Sequence, residues 1–351
     1  MYNYKKVLPK GFYIEKEIIG GSSARVFILI NNKGNRIVRK ISDVEGINKN
    51  GKDKLKKEIN FLEYFHNTKS EIIYPQIYNY EVNNLYVYYD MAFLEGKTLQ
   101  ELLKDNKKEE AFDCCNKVLD DLCLFSDIQK TTFYGENSLM YRAYIDKTKN
   151  VISNLLSNKK ISGLIQPKEI TINNKKYKNA RIAHEYLYKN EIQKRLRSNE
   201  VSFCFHGDLV SSNILYNNGN TNYIDPRGDF SKFDICYDIA KMKFSFSGYE
   251  QVTSNKFILF DSTESINFKL KEEGLFSIID ENFFTLLRKN EMFSDKVIKQ
   301  DGYWKERIGM HVALQYINNS YIQLESGCLD KFKIMYSIGT MKLNELLNKL
   351  Y

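Results

Sequence analysis

The sequence predicts a mixed α+β chain whose N-terminal part is rich in strands and whose longer remainder is mostly helical. Residues 12–45 carry alternating or continuous runs of apolar and β-branched side chains, separated by turns rich in Gly, Asn and Ser. After Gly96 the apolar residues recur at spacings of three and four. With 351 residues and 43% hydrophobic composition, the chain is long enough for two lobes. The boundary between the strand-rich lobe and the helical lobe is predicted near residues 91–96.

The N-terminal part is predicted to be an antiparallel meander followed by one helix and two more strands. The stretches "FYIEKEIIGG", "ARVFILI" and "NRIVRKIS" form the meander. From about residue 53 the apolar side chains follow helical spacing, at Leu55, Ile59, Leu62 and Phe65. The stretches "IYNYEV" and "LYVYYDMAFL" supply the two further strands.

The remainder is predicted to be helical, with one inserted hairpin. Thr98 and Glu101 have the spacing of a capping box at a helix start. The stretch "EITINNKKYKNARI" is typical of a hairpin. Helical periodicity covers seven further segments: 108–129, 140–157, 181–198, 233–246, 272–291, 301–325 and 330–350.

Composition and charge limit the classes of partner. The net charge is +8, and residues 141–200 alone hold 14 Lys or Arg against 5 Asp or Glu. No nucleic-acid-binding motif accompanies this charge, so we expect no nucleic-acid partner. No apolar run approaches the roughly 18 residues of a transmembrane helix, and the N-terminus lacks the apolar core of a signal peptide. These features favour a cytoplasmic protein without membrane insertion. The six cysteines lack zinc or disulfide spacing, which favours reduced thiols.

The stretch "HGDLVSSNILYNNGNTNYIDPRG", residues 206–228, brings three oxygen-bearing side chains together. Two short strands joined by the turn "NNGN" place Asp208 and Asn213 near one end and return Asp225 beside them. Mg²⁺ prefers hard oxygen ligands, usually one or two carboxylates with phosphate and water. Asn213 and Asp225 can supply such ligands, which leaves Asp208 to meet a substrate hydroxyl.

The spacing of these residues matches kinase catalytic and metal-binding loops. The pattern is His-x-Asp-x-x-x-x-Asn, followed 12 residues later by an Asp that leaves a strand. The alternative is a surface loop in which Asp and Asn merely form turns.

The segments "FHGDLVSSNILY", "YIDPRGDF" and "CYDIAKM" resemble small-molecule kinases of the aminoglycoside phosphotransferase and choline kinase type, which are relatives of protein kinases. The "IDPRG" variant resembles a branch linked to bacterial capsule or surface-polysaccharide synthesis. The resemblance is tight over residues 203–242 and looser elsewhere. It implies a bilobal protein-kinase-like fold: an N-lobe with a small antiparallel β-sheet and one helix (1–92), a hinge (93–96) and a larger, mostly helical C-lobe (97–351).

The resemblance also implies roles for individual residues. Asp208 matches the family's catalytic base or hydroxyl-orienting residue, and Asn213 and Asp225 match its Mg²⁺ ligands. His206 is similar to a histidine that fixes the catalytic loop by hydrogen bonding. Asp238 matches an Asp that braces that loop from the start of a helix.

The N-lobe offers the parts that this family uses to bind ATP or GTP. In "IIGGSSARV" the candidate phosphate-covering residues are Gly20, Gly21, Ser22 and Ser23. Only Gly21 fits the pattern GxGxxGxV, so an ordinary hairpin is the alternative. Lys40 is predicted to neutralise the nucleotide phosphates and Glu58 to hold Lys40. Glu63 is the competitor of Glu58, and the alternative is that Lys40 and Glu58 are surface charges.

The strand in "YYDMAFLEGKTL" is predicted to end in the interlobe hinge. By the resemblance, four residues would present backbone groups to the adenine edge: Asp90, Met91, Ala92 and Phe93. The "GKT" in this stretch is not a P-loop, because the place of its first Gly is taken by Met91.

The sequence departs from the protein-kinase pattern after Asp225. Pro226 and Arg227 replace Phe-Gly, and no APE signature follows. Arg227 is predicted to pair with a carboxylate such as Asp229 or Asp234, with contact to an anionic substrate group as the alternative. These departures disfavour a regulated activation loop.

The resemblance and the motif together predict an ATP-dependent (or GTP-dependent) and Mg²⁺-dependent phosphotransferase acting on a hydroxyl of a small molecule. The acceptor is expected to be a sugar, sugar phosphate, polyol or amino alcohol. Aminoglycosides are less favoured, because a polycation suits an acidic cleft. The alternatives are a pseudokinase-like nucleotide-binding or scaffolding module and, less favoured, a protein kinase.

Overall fold

The computed structural model describes residues 8–18, 24–43, 51–67, 74–127, 131–132, 137–198, 200–201, 206–228, 234–261, 265–272 and 274–351. The structure is a mixed α+β fold with antiparallel sheets and a largely helical C-terminal part, as predicted. In chain order its elements are β1 (Phe12–Ile18), β2 (Arg25–Asn31), β3 (Arg36–Asp43), α1 (Gly51–Asn67), β4 (Ile77–Val82), β5 (Tyr86–Ala92), β6 (Lys97–Thr98), α2 (Leu99–Lys104), α3 (Lys108–Asp127), β7 (Thr131–Thr132), α4 (Asn137–Ser157), α5 (Ser162–Ile165), β8 (Glu169–Ile172), β9 (Lys175–Lys178), α6 (Ala180–Tyr186), α7 (Asn190–Leu196), β10 (Glu200–Val201), β11 (Ile214–Asn217), β12 (Asn220–Tyr223), α8 (Ile235–Phe244), α9 (Glu250–Thr253), β13 (Phe257–Asp261), β14 (Ser265–Leu270), α10 (Leu275–Lys289), α11 (Glu291–Phe293), α12 (Trp304–Glu325) and α13 (Leu329–Leu350).

The chain divides into two compact units that are not consecutive in sequence. The first unit comprises Met1–Glu101, His206–Asp208 and Ser212–Ser231. The second unit comprises Leu102–Phe205, Leu209–Ser211 and Lys232–Tyr351. Most of the predicted catalytic and metal-binding stretch therefore belongs to the same unit as the strand-rich N-terminal part.

A five-stranded antiparallel sheet forms the centre of the first unit, in the order β1-β2-β3-β5-β4. Helix α1 packs on one face of this sheet, because its apolar residues recur at helical spacing and are buried together. The contact joins Leu55, Ile59 and Leu62 of α1 to Val87 and Met91 of β5. The predicted strands and helix of this region are confirmed.

The first unit also holds a three-stranded sheet in the order β12-β11-β6. Strands β11 and β12 are joined by Asn218 and Gly219, whose φ angles are 49° and 82°. Two residues with positive φ form the tight turn that matches the twist of paired strands. The resulting register sets Ile214 opposite Tyr223, so the residues just outside this pair meet at one end of the hairpin.

The predicted capping box is confirmed at the start of α2. The Glu101 N–H donates to Thr98 Oγ1 at 3.1 Å, and the Thr98 N–H donates to Glu101 Oε2 at 2.7 Å. Each side chain thus satisfies a backbone donor that the first helical turn leaves unpaired.

The predicted helix over 181–198 is wrong as a single helix, since the structure has α6 and α7 there. Lys189, which precedes α7, has extended backbone with φ −70° and ψ 134°. The apolar spacing continues across the break because Ala183 and Ile192 pack in one core cluster of the second unit. Periodicity alone therefore could not locate the break.

A four-stranded sheet in the second unit contains two strands that the sequence did not predict. Its order is β13-β14-β8-β9, and β8 and β9 form the predicted hairpin. Strand β14 pairs in parallel with β8, where Ser265 lies opposite Thr171. A parallel pair between segments so distant in sequence has no local turn signal.

Within the described ranges, none of the helices has both the length and the apolar character needed to span a bilayer.

Candidate functional site

Lys40 and Glu58 form a buried ion pair in the first unit. Lys40 lies in β3 and is 2% exposed, and Glu58 lies in α1 and is 1% exposed. Lys40 Nζ donates to Glu58 Oε2 at 3.1 Å. Burial lowers the pKa of the Lys40 ammonium, while the adjacent Glu58 carboxylate opposes that shift. The structure thus sets Glu58 against Lys40, whereas Glu63 is only half-buried on α1.

Tyr89 also contacts Glu58, and the sequence analysis did not predict this contact. The Tyr89 hydroxyl donates to Glu58 Oε2 at 2.7 Å. Strand pairing sets Tyr89 directly opposite Lys40, so both side chains lie on the sheet face that α1 covers. The position of Tyr89 opposite Lys40 indicates this contact, but it follows only from the register between β3 and β5, which the sequence does not give.

Asp225 contacts the same lysine. The Lys40 ammonium lies against Asp225 Oδ1, and 26% of the Asp225 side chain is exposed. Asp225 has a φ of 59°, in the left-handed region that Asp adopts more readily than most residues. Backbone strain of this kind is often found at functional sites.

Asn213 and Asp208 are joined by a hydrogen bond within the loop. Asn213 Nδ2 donates to the Asp208 carbonyl oxygen at 2.9 Å, which directs the amide nitrogen into the loop. The Ile224 N–H donates to the Asn213 carbonyl oxygen at 3.0 Å, so Asn213 lies beside the residue preceding Asp225. The hairpin therefore brings the two predicted metal ligands to one end, and the Asp208 side chain remains partly exposed.

His206 bridges the two arms of this stretch. Its Nε2 lies 2.8 Å from the Ile224 carbonyl oxygen, and its Nδ1 accepts from the Asp208 N–H at 3.2 Å. These partners require a neutral ring with the proton on Nε2. Burial lowers the pKa of His206 to about 4, although Asp208, the Ile224 carbonyl and Glu58 act in the opposite direction and Lys40 adds to the lowering. His206 is therefore neutral near pH 7.

The segment after Asp225 packs against the helix that carries Glu58. Gly228 has a φ of +68°, and a Cβ at this position would lie 2.5 Å from the Lys57 carbonyl oxygen and 2.6 Å from the Glu58 nitrogen. Only glycine allows so close an approach of two backbones. Tyr74 adds a second connection, because its ring contacts both Phe65 of α1 and the ring of His206.

The backbone of three predicted hinge residues is engaged in the sheet. Asp90 and Met91 pair with β3 and β4, and the Ala92 N–H donates to the Gln76 carbonyl oxygen at 2.9 Å. The Asp90 carboxylate accepts two hydrogen bonds from Arg39, each 2.6 Å long. Phe93 lies beyond the last strand pair. The predicted contact of these four residues with adenine stays a prediction.

The remaining predicted residues are placed as follows. Gly20, Gly21, Ser22 and Ser23 lie outside the described residues. Asp238 is fully buried in the first turn of α8, in the second unit.

The half-buried Arg227 donates its backbone N–H to the His206 carbonyl oxygen at 2.8 Å. Asp234, one of its two predicted partners, caps α8 and forms an ion pair with Arg307, while Asp229 lies outside the described residues.

The donor set at this hairpin end fits a hard divalent cation. Asp225 offers a partly exposed carboxylate, and Asn213 has its amide nitrogen bonded to Asp208, which leaves the amide oxygen as its ligand atom. No group of three or more His, Cys, Asp or Glu that could hold a metal occurs among the residues that the structure describes. A cation here would therefore need ligands from outside the protein, as Mg²⁺ has when it binds together with phosphates.

Neither a family model nor a curated protein matches this sequence. Among solved structures, the chain is similar to one described as the crystal structure of aminoglycoside-3'-phosphotransferase of type VIII. The identity is 12%, the match covers 70% of this chain and 81% of that chain, and the TM-score is 0.40. A likeness of this size does not establish a family or an activity.

Tyr89→Phe is expected to destabilise the protein by about 1–3 kcal/mol, because the buried Glu58 carboxylate loses a hydrogen-bond donor. Urea unfolding followed by circular dichroism measures the change. Tyr80→Phe, at an exposed position of β4, is the matched control and is expected to leave the unfolding free energy nearly unchanged. Equal stability of the two variants would contradict the role of the Tyr89 hydroxyl.

Gly228→Ala is expected to lower the free energy of unfolding by about 1–3 kcal/mol more than Gly34→Ala does, because a methyl group is forced against backbone. Gly34 has a similar φ of +81° but nothing within 4 Å of an added Cβ. The comparison therefore isolates the close approach to α1 from the strain of a positive φ. Equal midpoints in thermal unfolding would show that α1 can move away without loss.

The stability of the protein is expected to fall between pH 6.5 and about pH 4 in part because of His206. The unfolded state binds a proton near pH 6.5, whereas the folded state does so only near its pKa of about 4. The contribution is complete above pH 6.5, amounts to about 3 kcal/mol, and is lost by about pH 4. We expect His206→Gln to show a shallower loss of unfolding free energy across this range. The exposed His66→Gln controls for the substitution, and a wild-type slope in His206→Gln would contradict the assignment.

Proposed function

We propose that this protein is a phosphotransferase that moves the terminal phosphoryl group of ATP or GTP, with Mg²⁺, to a hydroxyl of a small molecule. The observation that carries the proposal is the buried Lys40–Glu58 pair, whose ammonium also contacts Asp225. The same unit holds Asp208 and Asn213 on the adjoining loop. This set of residue types is the one that phosphoryl transfer requires.

In this proposal each group has a separate task. Lys40 binds nucleotide phosphates, and Glu58, fixed by Tyr89, keeps the Lys40 ammonium in place. Asn213 and Asp225 hold Mg²⁺, which would neutralise charge on the phosphates when bound. Asp208 orients the acceptor hydroxyl and accepts its proton. Positioning and charge neutralisation supply most of the catalysis in such reactions, so few residues are needed.

The acceptor is proposed to be a sugar, sugar phosphate, polyol or amino alcohol, within a cytoplasmic pathway of surface-polysaccharide synthesis. This assignment rests on the resemblance of "IDPRG" and on the positive charge of residues 141–200, which would attract anionic groups. A screen of such hydroxyl compounds, with release of ADP or GDP as the readout, identifies the acceptor and the preferred nucleotide.

A pseudokinase-like binding module is the second candidate. The burial of the Lys40–Glu58 pair is compatible with a purely structural role for these charges. The two candidates differ in turnover: a binding module would bind nucleotide in the same screen but release no diphosphate. A protein kinase ranks third, since Pro226 and Arg227 occupy the place of Phe-Gly and no APE signature follows.

Asp208→Asn is expected to lower the rate of phosphoryl transfer at least about 100-fold while leaving nucleotide affinity nearly unchanged, because only the proton acceptor is removed. Diphosphate release measures the rate, and equilibrium titration with a fluorescent ATP analogue measures the affinity. Asp53→Asn, at an exposed position of α1, is the matched control and should behave as wild type. Transfer by Asp208→Asn at the wild-type rate would exclude Asp208 as the base.

A further inference from the structure

A cavity of about 180 Å³ lies in the second unit, between helices α8, α10, α12 and α13. Four lysines and two glutamates line it, so the charged lining is positive: Lys243, Lys305, Lys342, Lys349, Glu306 and Glu345. A lining with excess positive charge around a small concave space favours an anion.

The four lysines are not equally neutralised. Lys243 Nζ donates to Asp280 Oδ1 at 2.7 Å, so its charge has a carboxylate partner. Lys342 has neither a hydrogen bond nor an ion pair within the described ranges. Its nearest aromatic contact is the Tyr316 ring, 6.0 Å from Nζ to the centroid. Lys342 therefore places at the cavity a positive charge that no carboxylate contacts directly within the described residues.

The surroundings make this charge costly in the absence of a ligand. Burial lowers the pKa of the Lys342 ammonium, and Lys243 and Lys349 add to that lowering, whereas Asp280 and Glu345 oppose it without reversing it. A partly desolvated ammonium without a partner is destabilising unless another group neutralises it. An anion in the cavity would supply that neutralisation.

The size and walls of the cavity limit what the anion can be. A volume of about 180 Å³ corresponds to roughly six water molecules at about 30 Å³ each. Phe284 forms an apolar wall, and the ammonium groups of Lys243 and Lys305 lie 5.1 and 5.4 Å from the centroid of its ring. Lysines act as point charges for phosphate, so several of them can share one tetrahedral dianion without a fixed planar geometry.

We propose that this cavity binds a compact dianion, namely inorganic phosphate or the phosphate group of a small phosphomonoester, with Lys342 as its principal partner. The proposal is independent of the proposed phosphotransferase activity, because the residues of the cavity all belong to the second unit and Lys40, Asp208, Asn213 and Asp225 all belong to the first.

The experiment is isothermal titration of wild-type protein and single variants with sodium phosphate, at constant ionic strength maintained with sodium chloride. Lys342→Met is expected to weaken phosphate binding at least tenfold, and Lys342→Arg to retain it. Lys194→Met, which removes an exposed lysine of α7 in the same unit, is the matched control and should bind as wild type. Because Lys342 has no native ion pair, its replacement by Met is expected to preserve the fold, which circular dichroism checks.

Two further variants keep the result interpretable. If Lys342→Met does not fold, Lys349→Met at the exposed end of α13 tests the same cavity and is expected to weaken binding. Lys40→Met is titrated in parallel once circular dichroism has shown that it is folded, because the proposed nucleotide site would also attract phosphate. Phosphate affinity that is unchanged in Lys342→Met, or lost only in Lys40→Met, would overturn the cavity proposal and leave the phosphotransferase proposal intact.

A titration with glycerol 3-phosphate distinguishes the two sources of the dianion. Tighter binding than that of inorganic phosphate, with the same loss in Lys342→Met, supports a phosphomonoester. Tighter binding of inorganic phosphate supports the free ion. Absence of phosphate and glycerol 3-phosphate binding in the wild-type protein would overturn the proposal.

Discussion

The arrangement of the first unit depends on one buried carboxylate. Glu58 is enclosed between α1 and the sheet, and it is tolerated there because Lys40 and Tyr89 both donate to it. Removing either donor would leave a buried charge with an incomplete shell, which is more destabilising than the pair itself is stabilising. The same carboxylate fixes the position of the Lys40 ammonium, and thereby the charge that Asp225 meets. Stability and the candidate chemistry therefore rest on the same contact.

Backbone geometry brings the rest of the candidate site to that contact. The turn between β11 and β12 sets the register that leaves Asn213 and Asp225 at one end of the hairpin. Gly228 then lets the following backbone approach α1 at the peptide that precedes Glu58. Neutral His206 joins the two arms through the Ile224 carbonyl oxygen and the N–H of the residue two positions on. A shift of α1, of the β11–β12 hairpin or of the His206 ring would therefore move the side chains of the candidate site.

The two proposals rest on two lysines that differ in their partners. Lys40 has a carboxylate partner, so in the proposed function it is a preorganised charge that a nucleotide phosphate would share without rearrangement of the sheet. Lys342 has no carboxylate within ion-pair distance among the described residues, and Asp280 and Glu345 only partly oppose the lowering of its pKa by burial. The direct ion pair therefore distinguishes Lys40, which belongs to a fixed framework, from Lys342, for which the second proposal supplies an anion.

The sequence by itself determined what depends on neighbouring residues: the strands of the N-terminal part, helix α1, the capping box and the β11–β12 turn. It also predicted that the residues of the 206–228 stretch lie together at the candidate site, because they belong to one hairpin and the loop before it. Only the tertiary structure decided that Glu58 rather than Glu63 meets Lys40, that Tyr89 completes the pair, and that the backbone before Phe93 is already paired. It also revealed β13, β14 and the break between α6 and α7. These features follow from register and packing between segments far apart in the chain, which no local pattern of residues encodes.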